Sequence, residues 1–152
     1  MDYRTHVLIC AGAGCISSNC KAVAQEFFKE LKNFRLDQEV QVVQTGCIGS
    51  CDLGPVIVVN PDGIFYQKVK PEDVKIIVEE HLLHGRPVQQ LFYKVSGQNE
   101  TIGRYDQIPF FNKQVRFALR NVGQIDPEVI DEYIARDGYL ALKKVLTEMQ
   151  PE

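Results

Sequence analysis

The sequence predicts an α/β domain with the element order β-α-β-β-β-α, followed by a linker and a short helical C-terminal segment. Three observations carry this reading. Short β-prone apolar runs occupy residues 5–9, 39–43, 56–59 and 64–66. Apolar residues recur at three- and four-residue spacing between the first two runs and again after Pro71, the period of a helix that buries one face. After residue 86 the chain becomes turn-rich, and helical spacing resumes near residue 110. The expected boundaries are 1–86 for the α/β domain, 87–109 for the linker and 110–152 for the helical segment.

Met1-Asp2-Tyr3-Arg4 leads straight into residues 5–9, a run too short for a helix that stops at a Gly-rich loop and so reads as a strand. Ser17 or Ser18 offers an N-cap, and Val23, Ala24, Phe27, Phe28, Leu31 and Phe34 follow as one stripe, a helix of about four to five turns. Residues 39–43 form the second strand, and Thr45-Gly46-Cys47 turns out of it. Residues 56–59 and 64–66 flank Asn60-Pro61-Asp62-Gly63, a hairpin signal. Pro71 suits a first helical position, Val74, Ile77, Val78, His81 and Leu82 share a face, and Gly85 closes that helix. One βαβ crossover, a hairpin and a covering helix make a small sheet with helices against it, a thioredoxin-like arrangement.

Arg86-Pro87 ends this domain; residues 88–95 read as extended and 96–100 as a turn-rich stretch lying on a surface. Beyond it, Phe111, Val115, Ala118, Leu119 and Val122 share a helical face. Asp126-Pro127 reads as a cap and first position for a helix through Ile130 and Ile134. Tyr139, Leu142, Val145, Leu146 and Met149 make a third stripe. So much apolar surface on short helices calls for a partner: the first domain, another chain, or further sequence.

With 152 residues, 45% hydrophobic and 24% charged, and a net charge of -3, the composition is that of an ordinary soluble protein, and it argues against disorder and a generic nucleic-acid binder. No apolar run approaches the roughly 18–20 residues of a membrane span, and no charged-then-apolar leader is present, so a cytoplasmic protein is expected. Five cysteines without an export signal argue against a disulfide framework, because the cytosol keeps thiols reduced and an odd count leaves one over. Metal, cluster and thiol redox chemistry remain.

Four of the five cysteines fall in two short pairs, CAGAGC at 10–15 and CIGSC at 47–51, with 31 residues between them. Each pair sits among small residues at the end of an apolar run, so two loops could bring four thiolates to one point with bare backbone beside the sulfurs. Cys20 shares a helix face with Val23, Phe27, Leu31 and Phe34, within about 60° on the wheel, which points it into the core. Cys15 precedes the helix, where backbone N–H groups favour a thiolate. Cys10, Cys15, Cys47 and Cys51 are therefore the candidate ligands.

Such a set can hold a tetrahedral zinc ion, and a structural zinc adaptor with the helical tail as its contact surface is one reading. Zinc ribbons favour C-x2-C knuckles, whereas longer gaps with Gly or Ala alongside suit a [2Fe–2S] cluster that accepts N–H···S hydrogen bonds from residues such as Gly12, Ala13, Gly14, Ile48 and Gly49. A thiol redox enzyme is a third reading, weakened because no C-x2-C pair is present. The run from Gly12 to Ser17 mimics a dinucleotide fingerprint, but the loop carries two cysteines and the parallel sheet after it is too small. His6, His81 and His84 read as structural or helix-terminal, and Arg116 and Arg120 as one solvated helix face.

The C-x4-C pair and the run TGCIGSCDLGP at 45–55 resemble the thioredoxin-like [2Fe–2S] ferredoxins over residues 5–85. These domains occur in the small subunit of complex I–type NADH dehydrogenases and at the N-terminus of the flavoprotein subunit of NAD(P)-linked and electron-bifurcating hydrogenases. Residues 114–139, QVRFALRNVGQIDPEVIDEYIARDGY, resemble the opening of that flavoprotein subunit. The resemblance implies a one-electron carrier module with Cys10, Cys15, Cys47 and Cys51 as cluster ligands, working with other subunits of a hydrogenase or NADH dehydrogenase complex or with a redox partner protein. In the family the FMN and NAD(P) sites and a [4Fe–4S] site follow this opening; this chain ends at Glu152 before them, so no complete active site is expected within it. Asp137-Gly138 stands where the family shows Gly-Gly, and Cys20 is additional to the four ligands.

Overall fold

The structure is a computed structural model that describes residues 3–97 and 99–150. Met1, Asp2, Gln98 of the predicted turn-rich stretch and the last two residues of the helical segment lie outside the described residues. Strand β1 (Thr5–Cys10) leads through a short helix α1 (Ala13–Ser17) into α2 (Cys20–Asn33), and the chain returns as β2 (Val40–Thr45). Strands β3 (Ile57–Asn60) and β4 (Ile64–Tyr66) form the hairpin, with Gly63 at φ 66 supplying the left-handed turn position. Helix α3 starts at Pro71 (Pro71–Ile76) and continues as a wider, π-wound stretch, Ile77–Leu83, ending at Gly85 with φ 70. Its start is capped by Asp73, whose carboxylate accepts from the Lys70 backbone N–H at 2.9 Å.

The sheet order is β2-β1-β3-β4, with β1 and β2 parallel and the other pairs antiparallel, so the fold is the mixed, thioredoxin-like α/β sheet the sequence predicts. Two details differ. The helix after the first strand is not continuous from Ser17 or Ser18: Ser17 ends α1, and Asn19 at φ 68 breaks the chain before α2 begins at Cys20. Phe28, counted in the apolar stripe, lies on the outer side of α2 and is exposed.

Registers explain why β1 is buried throughout. Val7 pairs with Val59 and Ile9 with Ile57 and thence Tyr66, while Leu8, Val58 and Phe65 point to the opposite face. The first face packs under α2 and α3. The second is covered by Tyr105 and Phe111 against Phe65, within residues 87–111, where the sequence reads as a linker on a surface; Val88 and Phe92 of that stretch meet Tyr66 on the first face. There Gln89–Leu91 makes one 3-10 turn, β5 (Tyr93–Lys94) and β6 (Thr101–Ile102) pair with each other, and Tyr105–Gln107 makes a further turn. This stretch hydrogen-bonds along β4: Phe65 donates to Gly103 at 2.7 Å, Tyr105 to Gly63 at 2.8 Å and Gln67 to Leu91 at 2.9 Å. Val88, Ile108 and Phe111 enter the core.

The C-terminal segment departs most from expectation. After α4 (Pro109–Asn112) the chain runs in turns rather than a helix through Val115 and Val122, and α5 (Ile130–Ala135) and α6 (Leu140–Glu148) follow. Asp126 does not cap at Pro127: it makes an Asx turn to the Glu128 N–H at 2.9 Å, and Glu132 accepts from the Asp126 N–H at 2.7 Å. Asp137 takes φ 64, a backbone state that Gly adopts without strain, and a Cβ on Gly138 would strike the Tyr133 carbonyl. Val115, Phe117, Leu146 and most of the third stripe are exposed. No helix among the described residues is long and apolar enough to cross a membrane.

A buried polar chain ties α3 to the sheet. The Val88 N–H donates to the Tyr66 hydroxyl at 3.0 Å, and that hydroxyl in turn lies 2.9 Å from His81 Nδ1. With Tyr66 donating, His81 is neutral at Nδ1 and carries its proton on Nε2, which faces Asp62 at 4.0 Å. Burial pushes the His81 pKa below its ordinary value, and Asp62 only partly opposes this. Its stabilising contribution is therefore full above the ordinary histidine range, near 6.5, and is lost as pH falls through the lower folded value. Urea midpoints measured from pH 7.5 down to 5.5 should fall, and the fall should be smaller in His81→Phe; parallel curves would contradict a buried neutral His81. Tyr66→Phe leaves the Val88 N–H without its acceptor and should cost about 1–3 kcal/mol in the same assay.

Candidate metal centre

Parallel pairing of β1 with β2 puts the C-terminal ends of both strands side by side, Cys10 opposite Thr45. The two cysteine loops therefore leave the sheet at the same end. The Ala11 N–H donates to the Thr45 carbonyl at 2.9 Å and the Cys10 N–H to the Val56 carbonyl at 3.1 Å, which fixes the first loop between β2 and the start of β3. Cys15 lies inside α1 rather than before a helix, on its buried side. The second loop passes through Cys47, Ile48 and Gly49, at φ 106, into a 3-10 turn, Cys51–Leu53.

The loops meet through glycine. A Cβ built on Gly12 would stand 2.9 Å from the Cys47 Cβ and 3.1 Å from its Sγ; one on Gly14 would stand 3.2 Å from the Cys51 Cβ. A Cβ on Gly54 would lie 3.0 Å from the Cys15 Sγ. These contacts bring the loop carrying Cys15 against the loop carrying Cys47 and Cys51. The sequence marks the place of Gly54 against Cys15 only by a small residue three positions after Cys51. The Ile48 N–H points at the Cys10 Sγ at 3.5 Å, an N–H···S contact of the predicted kind.

The thiols differ in exposure. Cys10 and Cys15 are buried, while Cys47 and Cys51 face solvent. Burial first, and then the neighbouring Cys10 and Cys20 thiols, push the Cys15 pKa up to about 12 against the opposing pull of the Val56 backbone N–H. Cys51 is raised chiefly by its hydrogen-bond contact with Cys47 and by that neighbour's charge. Cys20 is raised by burial and by Cys10; it lies in the core of α2 as the wheel predicts.

Among the described residues no three Cys, His, Asp or Glu side chains close on a single point in the manner of a one-metal site. The thiols stand instead as two neighbouring pairs, Cys10 with Cys15 and Cys47 with Cys51. Four thiolates shared between two irons suit a two-iron core, and the glycine cradle and the Ile48 N–H suit its sulfurs. The residues present fit that group. Arg116, expected on a solvated helix face, instead donates from Nη2 to the Ile48 carbonyl at 2.7 Å. No sequence pattern marks that contact, because it depends on how the tail turns back.

Fold and site together define a thiolate metal protein built on a thioredoxin-like sheet. Residues 3–82 match the family described as Thioredoxin-like [2Fe-2S] ferredoxin. A 2Fe-2S ferredoxin of Clostridium pasteurianum is 36% identical over 96 residues, covering 58% of this chain and 94% of the relative. A solved thioredoxin-like [2Fe-2S] ferredoxin from Aquifex aeolicus superimposes with a TM-score of 0.56 at 35% identity, covering 64% of this chain and 99% of that one. The NADP-reducing hydrogenase subunit HndC of Solidesulfovibrio fructosivorans is 66% identical over 35 residues, which are 23% of this chain and 7% of that subunit.

The chain belongs to the thioredoxin-like [2Fe-2S] ferredoxin family. Its cofactor is a [2Fe–2S] cluster and its function is electron transfer. The zinc adaptor reading has no support from these relatives.

Close loop contact makes the site sensitive to a single methyl group. Gly12→Ala must displace Cys47, so the protein should retain less cluster and bleach faster in air than the parent. Gly46→Ala meets only the Val122 side chain at 3.8 Å and should behave as the parent does. Visible absorbance followed over time checks both, and equal bleaching of the two variants would contradict the cradle.

Proposed function

We propose that Cys10, Cys15, Cys47 and Cys51 are the cluster ligands and that the chain serves as the one-electron module of a flavoprotein subunit in an NAD(P)-linked hydrogenase or dehydrogenase. The observation that carries the ligand assignment is the glycine-lined meeting of loops 10–15 and 47–51, with Gly12 against Cys47 and Gly54 against Cys15. When bound, the cluster takes up and gives back one electron; a plant-type four-cysteine cluster works near roughly −400 mV.

The protein's own part is to hold and aim. Cys10 and Cys15 are anchored in the core, and Cys47 and Cys51 bring the other side of the site to the surface, the side a redox partner can approach. The similarity to the hydrogenase subunit supports the choice of complex: partners would be other subunits of such an assembly, with FMN and NAD(P) sites outside this chain.

Anaerobic iron and acid-labile sulfide analysis should give about two of each per chain, with visible absorption that dithionite bleaches. Cys10→Ser, Cys15→Ser, Cys47→Ser and Cys51→Ser should each lower the iron content or alter the spectrum, whereas Cys20→Ser should keep both. Cluster loss in Cys20→Ser alongside an unchanged spectrum in one of the four would reassign the ligands. NADH or NADPH should reduce the cluster only when the flavin-bearing part of such a subunit is added; equal reduction through an unrelated flavoprotein reductase would weaken the choice of complex.

A further inference from the structure

We infer that Arg116 is a positioning residue for the cluster site: it holds loop 47–51 by the Ile48 carbonyl and its charge raises the cluster's reduction potential. The inference rests on the ligand assignment proposed above. Ile48 lies between the two halves of the site, immediately after Cys47 and three residues before Cys51. Its side chain is buried, its N–H points at the Cys10 Sγ at 3.5 Å, and its carbonyl accepts from Arg116 Nη2 at 2.7 Å. Gly49 follows at φ 106, a flexible joint that this anchor restrains.

The guanidinium is itself held. It sits 5.5 Å from the Tyr105 ring centre and 5.6 Å from that of Phe111, and those two rings stack at 4.2 Å. Both rings rest on Phe65 of β4, at 6.2 and 5.9 Å. The path from the sheet to the loop is therefore continuous: Phe65, the Tyr105–Phe111 pair, Arg116, Ile48.

Its charge is also unspent. A cavity of about 240 Å³ that Ile48 and Arg116 line is also lined by Arg104, which is paired with Asp106 at 2.7 Å. Among the described residues no carboxylate forms an ion pair with Arg116. A neutral amide would satisfy the Ile48 carbonyl equally well. An unpaired cation beside a loop carrying two of four thiolates does more: it favours the state that has gained an electron, since reduction adds negative charge to an anionic site. Acting through an effective dielectric of about 20, one such charge within about 10 Å is worth on the order of tenfold in the reduction equilibrium.

The test is a redox titration of the cluster-loaded protein, read by the paramagnetic signal of the reduced state, in Arg116→Lys, Arg116→Gln and the double variant Arg104→Gln/Asp106→Asn. Arg116→Gln should lower the midpoint by about 59 mV, the one-electron equivalent of tenfold. Arg116→Lys should restore most of that shift because it keeps the charge. The double variant Arg104→Gln/Asp106→Asn, which removes both members of an ion pair and so no net charge, should leave the midpoint in place. A purely structural arginine would make Lys and Gln lose cluster alike while the surviving cluster kept the parent midpoint; that result, or an equal shift in the charge-neutral Arg104→Gln/Asp106→Asn, would overturn the inference. A parent protein without iron and sulfide would overturn both this and the reading beneath it, whereas a normal cluster with an unmoved midpoint overturns this alone.

Discussion

Everything at the metal centre depends on the parallel pairing of β1 with β2. Parallel neighbours need a crossover, here α1 and α2, and they end on the same side of the sheet. Two loops separated by a helix and a strand in sequence thus become adjacent in space, Ala11 bonded to Thr45. An antiparallel pairing would send loops 10–15 and 47–51 to opposite ends. Once the strands are parallel, the remaining requirement is close approach, and the glycines at 12, 14 and 54 meet it by leaving room for sulfur where a Cβ would stand.

A four-stranded sheet has two faces, and helices α2 and α3 cover one. The other carries Leu8, Val58 and Phe65, a surface that cannot remain in water without cost. Residues 103–111 fill that place, with backbone hydrogen bonds along the β4 edge and Tyr105 and Phe111 as apolar cover. This cover also reaches the site, because the rings that seal Phe65 are those that carry Arg116 toward Ile48. Packing on the far face and geometry at the cluster loop are thereby linked through one chain of contacts.

The asymmetry of the thiols follows from the same arrangement. Loop 10–15 leaves the central strand and is enclosed, so Cys10 and Cys15 are buried; loop 47–51 leaves the edge strand and is open to solvent. The buried Cys15 thiol, its pKa raised by burial, resists ionising without a metal, and metal binding supplies the missing stabilisation of the thiolate. The exposed apolar residues of α5 and α6 leave an uncovered apolar surface on the chain.

The sequence alone determined the element order, the hairpin, the burial of Cys20 and the identity of the four candidate cysteines. Those features are local: periodicity, turn chemistry and loop composition act within a few residues, and each can be read where it stands. Only the tertiary structure decided the rest. Phe28 turned outward, Asn19 split the first helix, residues 113–129 became turns in place of a helix, and Arg116 left a supposed solvated face for the Ile48 carbonyl. These outcomes depend on which surfaces meet across the sheet, and contacts between residues 68 positions apart leave no periodic trace in the chain that forms them.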